Sequence, residues 1–491
     1  MFEERKKEYH QIFIMHVGNL SKQSSIYPPL GLAQIIASLE KEGYKLEVID
    51  LLFDKTLERV ENLKGKDGIY ILSFSTALVD RVNNIIKIIR QKDKKAFIMG
   101  GGAHPTAMKE KVFEDLDLDL IALGEVKTNE IINALHRKNR FQKLSKIKGI
   151  IYKQKGKIKI NPAVDSWEEL DSLPIANQGA FPLDKYFKLK GFRELTMISS
   201  RGCPHRCIFC QPILRSLFGS KIRFASPKKV VDEMEYLVKN FKIDMITFSD
   251  DDFAFNQNRV IEICKELIRR KIHVLWRCQA RVGIKEEVLK YMKRAGCFLI
   301  AFGVESGSQK ILDDAKKDLK VQEIIDTLGH CKKIGILIHA YLMVGNIGES
   351  RETINKTILL IKKIKPFTFN ISITTPYPGT FIYEYAKENN LFIDSKWSEY
   401  DHILNGAVAK LSDFEPEELY KIKEELEKVL NQESERYKDL MGLLLDIKFM
   451  SFLFWVIIQN PSLPFRMLRL TFGMLVKKGK AFVVTNPYLE K

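Results

Sequence analysis

The chain has 491 residues, enough for about three domains at roughly 150 residues each. Hydrophobic residues make up 45% of it, which excludes a disordered or fibrous protein. Lysine and arginine number 79 against 62 acidic residues, and the net charge of +17 suits anionic membranes, nucleic acid or acidic substrates, or reflects a generally lysine-rich protein.

The first segment, residues 1–140, is predicted to form an α/β domain with a Rossmann-like parallel sheet. Helical spacing of apolar residues between short apolar runs predicts helices such as 30–43 and 79–93. Ligands of such a sheet bind at the carboxyl ends of its strands. The predicted strands are 12–18, 45–50, 68–76, 96–102 and 118–125.

A hairpin and a linker are predicted for residues 141–192, with the hairpin over 149–160 and a loop that carries Pro174 and Pro182. The β/α alternation then resumes over 193–395 and predicts a partial β/α (TIM-like) barrel, whose chemistry lies at the carboxyl ends of its strands. The predicted barrel strands are 196–200, 244–250, 273–280, 298–306, 337–345 and 369–376.

The last segment, residues 396–491, is predicted to be a helical, apolar and basic tail. Its uncharged part, 449–465, contains Pro461 and Pro464 and is too short to span a bilayer. Three interpretations stay open: a helix lying on a membrane surface, a wall for an apolar substrate, and a helix packed on the barrel. The charged N-terminus has no apolar stretch of signal-peptide length, so a cytoplasmic location is predicted.

Three of the seven cysteines cluster in the segment SSRGCPHRCIFCQ (199–211) after the first barrel strand. Cys203, Cys207 and Cys210 are close enough to ligate one iron–sulfur cubane and leave its fourth iron open. A zinc site completed by His205 is the alternative. Either interpretation places a metal site in a reducing compartment.

The segment CPHRCIFC resembles the CxxxCxΦC signature of the radical S-adenosyl-L-methionine (SAM) superfamily, with Phe209 at the aromatic position. The resemblance implies a 4Fe-4S cluster whose open iron binds SAM, reductive cleavage to a 5′-deoxyadenosyl radical, and an electron donor of the flavodoxin or ferredoxin type. It extends through the segments 248–256, 301–312, 344–350 and 377–380, although Asn346 departs from the usual Leu-Pro.

The resemblance also implies which side chains contact SAM. Acidic residues after the second barrel strand would contact the SAM ammonium group. An acidic residue at the end of the fourth strand would contact the amino acid part or the ribose of SAM, and two basic residues would contact its carboxylate. As alternatives, the aspartates could cap the following helix and the lysine could be solvated. The residues implied for the ammonium group are Asp250 and Asp251, the one for the amino acid part or ribose is Glu305, and those for the carboxylate are Arg281 and Lys317, while Phe209 lies beside the cluster.

The segments 27–50, 72–76, 100–108 and 123–125 resemble the cobalamin-binding domain of cobalamin-dependent radical SAM enzymes. The resemblance implies hydroxyl contacts to the cofactor and glycines that allow its close approach to the backbone. No Asp-x-His-x-x-Gly motif is present, so a cobalt-ligating histidine is not expected, and a degenerate sheet without cofactor is the alternative. The implied contacts are Ser73, Ser75, Thr76, Gly101, Gly102 and His104.

Together the resemblances imply methylation of an unactivated carbon, with the deoxyadenosyl radical abstracting a substrate hydrogen and methylcobalamin supplying the methyl group. Radical cyclisation or C–C coupling without methyl transfer is one alternative, and a non-catalytic cobalamin and cluster sensor is another. The apolar tail favours a lipid or other hydrophobic small molecule as substrate and peripheral membrane contact. No nucleic acid partner is expected, because no RNA-binding module is recognisable.

Overall fold

Two sheets of mostly parallel strands succeed each other along the chain. The computed structural model describes residues 11–18, 26–63, 67–210, 221–393, 395–402 and 406–433, together with Met450, Phe454 and Ile457. Both sheets are covered by helices, which confirms the predicted α/β class.

The N-terminal sheet has the order β2-β1-β3-β4-β5-β6-β7. Its first five strands are parallel, as predicted for a Rossmann-like sheet, and most of their residues are buried, as in sheets covered on both faces. Helices Leu30–Lys41 and Thr128–Leu135 cover one face and Val79–Lys92 covers the other. The strands are β1 Gln11–His16, β2 Leu46–Asp50, β3 Gly68–Ser73, β4 Phe97–Gly101, β5 Leu120–Ala122, β6 Ile150–Gln154 and β7 Lys157–Ile160.

The predicted hairpin is present as β6 and β7, with a turn at Lys155-Gly156. Its first strand pairs antiparallel with β5, so the hairpin extends the N-terminal sheet. The hairpin was predicted from the sequence, whereas its long-range pairing with β5 was not.

The second sheet is a curled half barrel of six parallel strands in the order β15-β14-β13-β12-β11-β8, which confirms the predicted partial barrel. The antiparallel pair β9 and β10 flanks the cysteine segment. The strands are β8 Glu194–Met197, β9 Ser200–Arg201, β10 Arg223–Phe224, β11 Met245–Phe248, β12 Leu275–Ala280, β13 Cys297–Glu305, β14 Leu337–Val344 and β15 Thr368–Ile373.

Amphipathic helices follow the barrel strands and cover the convex face. Ser226 and Asn256 cap two of them, and the Asn256 side chain accepts a hydrogen bond from the Arg259 backbone N–H at 3.1 Å. The helix after the three aspartates is therefore capped by Asn256 and not by an aspartate. The main barrel helices are Pro227–Phe241, Gln257–Arg269, Glu286–Arg294, Val321–Ile334 and Arg351–Ile364, and Pro416–Glu433 packs beside the last strands.

The concave face of the half barrel has an apolar floor. Side chains alternate along each strand, so Trp276 and Cys278 enter the helix-covered core while Arg277 and Gln279 face the concave side. Gln279 is exposed although β12 lies inside the sheet. The floor cluster consists of Met245, Leu275, Leu299, Ala301 and Leu337.

Little of the predicted apolar tail lies within the described residues. Ile457 packs against the floor cluster, whereas Met450 and Phe454 are exposed. At Ile457 this contact agrees with the interpretation of a helix packed on the barrel. Among the described residues, no helix is long and apolar enough to cross a membrane.

The carboxyl edge of the N-terminal sheet faces the half barrel. Tyr27, in the connection after β1, accepts a hydrogen bond from Arg277 Nη2 at 2.5 Å. Glu125, after β5, pairs with Arg201 and Arg223 on the two short strands beside the cysteine segment. Ligands of this sheet would therefore lie between it and the barrel.

Candidate functional site

The three cysteines lie on one loop that leaves β9 at Gly202. Gly202 has a φ of +98°, and a Cβ there would lie 3.1 Å from the Lys221 carbonyl oxygen, so the turn requires glycine. Cys203 and Cys207 are half-buried, Cys210 is exposed, and all three thiols are free. The loop thus carries three thiols that are not joined in disulfides.

No single-ion site is formed by these thiols and their neighbours. Within the part of the chain that the structure describes, no three His, Cys, Asp or Glu side chains converge on a point that one metal ion could occupy. His205 Nε2 instead lies 3.9 Å from Asp252 Oδ2. Three cysteine thiolates are the ligands that a 4Fe-4S cluster with one open iron takes, whereas a structural zinc ion takes four protein ligands.

Asp250 fixes the backbone just before the cysteine loop by accepting hydrogen bonds from Ser199 and Ser200. It is 1% exposed, and its carboxylate accepts hydrogen bonds from Ser199 N at 3.0 Å, from Ser199 Oγ at 2.8 Å and from Ser200 Oγ. Burial raises the pKa of Asp250, and the serine donors oppose that rise. This placement differs from the predicted contact with the SAM ammonium group, because both carboxylate oxygens are engaged within the protein.

The neighbouring aspartates diverge from Asp250, as consecutive residues in a loop do. Asp251 is exposed at the mouth of the site and accepts a hydrogen bond from the Gly202 backbone N–H. Asp252 is buried and accepts one from the Arg281 backbone N–H at 3.3 Å. Of the predicted ammonium contacts, Asp251 is the one with access to a ligand.

A buried ion pair ends β13 beside the cluster loop. Lys317 Nζ lies 2.7 Å from Glu305 Oε1, with the two residues 6% and 8% exposed. Lys317 is therefore buried and paired, not a solvated surface lysine, and its Nζ also lies 5.6 Å from the centre of the Phe209 ring. Arg281 Nη1 donates to Cys207 Sγ at 3.7 Å.

Gly303 makes room for this pair. A Cβ there would lie 2.5 Å from Glu305 Oε1 and 2.7 Å from Lys317 Nζ. The structure thus brings together four predicted cofactor residues next to Cys207, namely Phe209, Arg281, Glu305 and Lys317. Opposite charges at one buried position are what a zwitterionic ligand requires.

The predicted cobalamin contacts lie at the carboxyl edge of the N-terminal sheet. Ser75 is exposed there, Ser73 is half-buried and Thr76 is buried. Gly102 has a φ of +98°, and a Cβ would lie 2.9 Å from the Phe74 carbonyl oxygen, whereas a Cβ on Gly101 would meet only one atom within 4 Å. At this edge the backbone of the glycines is not covered by side chains, and hydroxyl groups lie beside it, so a flat and broad ligand such as a corrin could approach closely.

His104 lies beneath this edge. It is fully buried, its Nδ1 lies 3.2 Å from Thr76 Oγ1, and its ring packs edge-on against Trp397 at 5.2 Å. Nε2 has no hydrogen-bond partner among the described residues, and burial lowers the pKa of His104 to about 4. This differs from the predicted cofactor contact, because Trp397 and Phe74 enclose the ring.

Three residues near the site were not predicted from the sequence: Tyr27, Glu125 and Arg277. Each makes a contact between the two sheets, and such long-range pairs leave no local pattern. A signal existed for Arg277 alone, since a charged residue between the buried Trp276 and Cys278 indicates a strand with one polar face.

Two family models match the chain: the Radical SAM superfamily over residues 197–361 and the B12 binding domain over 18–131. The chain is similar to an uncharacterized methyltransferase of Pyrococcus horikoshii, at 32% identity over 403 residues, which cover 80% of this chain and 86% of the relative. It is also similar to the anaerobic magnesium-protoporphyrin IX monomethyl ester cyclase of Rubrivivax gelatinosus, at 26% identity, with 73% of this chain and 66% of the cyclase covered.

Two solved structures share the fold. The methyltransferase TsrM from Kitasatospora setae, with cobalamin and a [4Fe-4S] cluster bound, matches with a TM-score of 0.66 at 16% identity, covering 85% of this chain and 89% of TsrM. OxsB, a cobalamin-dependent SAM radical enzyme with aqua-cobalamin bound, matches with a TM-score of 0.61 at 21% identity, covering 83% of this chain and 58% of OxsB.

A half barrel whose first loop carries three cysteines is the architecture of a radical SAM enzyme. With its B12-binding N-terminal domain, this chain belongs to the cobalamin-dependent radical SAM enzymes, and its cofactors are a 4Fe-4S cluster, SAM and cobalamin.

Proposed function

We propose that this enzyme methylates an unactivated carbon of its substrate. The observation that carries the proposal is the orientation of the two sheets. The carboxyl edge of the N-terminal sheet, with Gly101 and Gly102, is held towards the half barrel by the Tyr27–Arg277 and Glu125–Arg201 contacts. When bound, SAM and the reduced cluster supply a 5′-deoxyadenosyl radical and methylcobalamin supplies a methyl group.

The residues of the half barrel would bind and orient the radical-forming cofactors. Cys203, Cys207 and Cys210 would hold the cluster, and the Arg281 guanidinium would offset thiolate charge at Cys207. In this proposal Glu305 would accept from the SAM ammonium group and Lys317 would donate to the SAM carboxylate, each exchanging part of the contact that the two now make with each other. Asp250 contributes by fixing Ser199 and Ser200, and so the direction in which the loop leaves the strand.

The contacts between the sheets hold the substrate space closed on one side. Glu125 is anchored by two arginines at partly buried positions, so the carboxyl edge is fixed against β9 and β10. Rigid walls of this kind exclude water from a radical and fix the distance over which a methyl group is transferred.

Methylation is favoured over cyclisation by the relatives. The relative at 32% identity is named a methyltransferase, whereas the cyclase relative is 26% identical. We also propose that the substrate has an apolar body, supported by the floor cluster below the concave face and by the apolar sequence of the tail. The electron donor is proposed to be of the flavodoxin or ferredoxin type.

The test is a product assay with SAM carrying a trideuterated methyl group. Anaerobically reconstituted enzyme, cobalamin and a chemical reductant are incubated with lipid and small-molecule extracts, and products are compared by mass spectrometry with those of a Cys203→Ala/Cys207→Ala/Cys210→Ala variant. A product that gains the deuterated methyl group supports methylation. A product that loses hydrogen without gaining deuterium contradicts it and favours cyclisation, and absence of 5′-deoxyadenosine would favour a sensor.

A further inference from the structure

A buried ionic cluster lies low on the concave face, away from the predicted cofactor residues. Glu194 at the start of β8 accepts from Lys190 at 2.7 Å, from Arg277 at 3.0 Å and from Thr247. Arg277 donates in addition to Thr247 Oγ1 at 2.8 Å and to the Tyr27 hydroxyl at 2.5 Å. These five residues are called the Arg277 cluster below.

The charges of the Arg277 cluster do not balance. Burial opposes ionisation of Glu194, but Arg277 and Lys190 outweigh it and lower the pKa of Glu194 to about 2. One carboxylate therefore faces one guanidinium and one ammonium group. Lys190 Nζ also lies over the Tyr27 ring, 2.9 Å from its centroid, so the excess positive charge is carried by Arg277, whose side chain is one-third exposed and can attract an anion.

Arg277 is the member of this cluster that reaches open space. Its side chain is 33% exposed, against 6% for Glu194 and 8% for Lys190. Nε and Nη2 are used within the cluster, while Nη1 makes no hydrogen bond to any residue that the structure describes. An arginine with a free edge can bind a carboxylate or a phosphate group.

Neutral polar groups border the space next to Arg277. Gln279, two residues further along β12, is exposed, and its register partner Ala301 is small. His339 pairs in register with Ala301 on the other side, and its Nδ1 lies 2.8 Å from Thr368 Oγ1. His339 Nε2 is buried without a partner among the described residues, so it is available for a hydrogen bond.

Arg277 lies on the chain a short way before the residue that contacts the cluster loop. Arg281 follows the end of β12, four residues after Arg277, a separation of about 13 Å for extended backbone. Arg281 contacts Cys207. An anion at Arg277 would leave the space between for the body of a substrate whose reacting carbon points to the SAM site.

We infer that Arg277 anchors an anionic group of the substrate, a carboxylate or a phosphate, with Gln279 and His339 completing the pocket. The inference rests on the proposed function, because it takes the concave face as the substrate site. It adds the chemical class of the group that the site recognises.

The test is equilibrium binding of matched probes to the reconstituted holoenzyme with SAM present. The probes are octanoate, octyl phosphate and the neutral octanamide. We expect at least one anion to bind tenfold or more tightly than octanamide, with the tighter anion showing whether the natural group is a carboxylate or a phosphate. No anion preference in the wild-type enzyme overturns the inference without any variant.

Two variants and a control locate the anion. Arg277→Gln should lose the anion preference, whereas Glu194→Gln, which raises the cluster charge, should strengthen anion binding; a purely structural cluster would not give this opposite pair. Arg269→Gln, on an exposed helix position, should bind like the wild type. Iron content and 5′-deoxyadenosine formation verify that each variant is folded and loaded.

Failure of this inference is distinguishable from failure of the proposed function. Anion binding lost in Arg277→Gln supports the anchor even where the product assay shows cyclisation. A methylated product formed by Arg277→Gln with an unchanged KM overturns the anchor and leaves the methyltransferase proposal standing.

Discussion

Gly303→Ala tests whether Glu305 and Lys317 bind SAM. A Cβ at this position would lie 2.5 Å from Glu305 Oε1 and 2.7 Å from Lys317 Nζ. Carbon contacts need roughly 3.5 Å, so each side-chain end has to move by about 1 Å. Both atoms end flexible side chains, so we expect the fold to tolerate the change while the ion pair is displaced.

The expected magnitude follows from the bonds that would be lost. A hydrogen bond to a charged group contributes about 1.5–3 kcal/mol, so displacement of the pair should weaken SAM binding about tenfold to hundredfold. Stability should also fall, by about 1–3 kcal/mol, because the displaced ion pair is buried, while no backbone atom is close enough to the added methyl group to distort the strand.

The assay is calorimetric titration of SAM into the reconstituted enzyme, paired with thermal unfolding. Gly329→Ala is the matched control: Gly329 lies in helix Val321–Ile334, and a Cβ there meets nothing within 4 Å. The control should bind SAM like the wild type. SAM affinity within twofold of the wild type in Gly303→Ala would refute the assignment of Glu305 and Lys317 to the SAM site.

Two further predictions concern the supports of the site. Asp250→Asn should lower the free energy of unfolding by about 2–3 kcal/mol and reduce iron retention, because the amide loses charge-assisted hydrogen bonds to Ser199 and Ser200. The control is Asp232→Asn, at a partly exposed ion-pair residue, which should change the unfolding free energy and the iron content little. Equal iron content in the two variants would count against the role of Asp250. The wild type should lose about 2–3 kcal/mol between pH 7 and pH 4.5 through His104, because its pKa is about 4 when folded and about 6.5 when unfolded, so the unfolded state binds the extra proton. His104→Phe should remove that part of the slope in urea unfolding, and parallel pH profiles would contradict it.

The architecture was predictable because buried parallel strands are continuous apolar runs and the helices between them are amphipathic. The structure confirms the Rossmann-like sheet and the half barrel on that basis. The cysteine motif likewise carries its own spacing, so the position of the cluster loop after the first barrel strand needed no tertiary information.

The orientation of single side chains was not predictable in the same way. Asp250, Asp251 and Asp252 follow a strand in a loop, where no periodicity shows which one turns inward. His104 was expected at the cofactor because of the glycines just before it, but Trp397, far along the chain, covers its ring. Tyr27 and Arg277 are 250 residues apart and meet only in the folded chain.

Both cofactor sites are tested together by the metal content of the chain after anaerobic reconstitution with iron, sulfide and cobalamin. We predict about four irons and about one cobalt per chain, with a Cys203→Ala/Cys207→Ala/Cys210→Ala variant that loses the iron and keeps the cobalt. Iron without retained cobalt would contradict two facing cofactor sites, and zinc in place of iron would contradict the cluster itself.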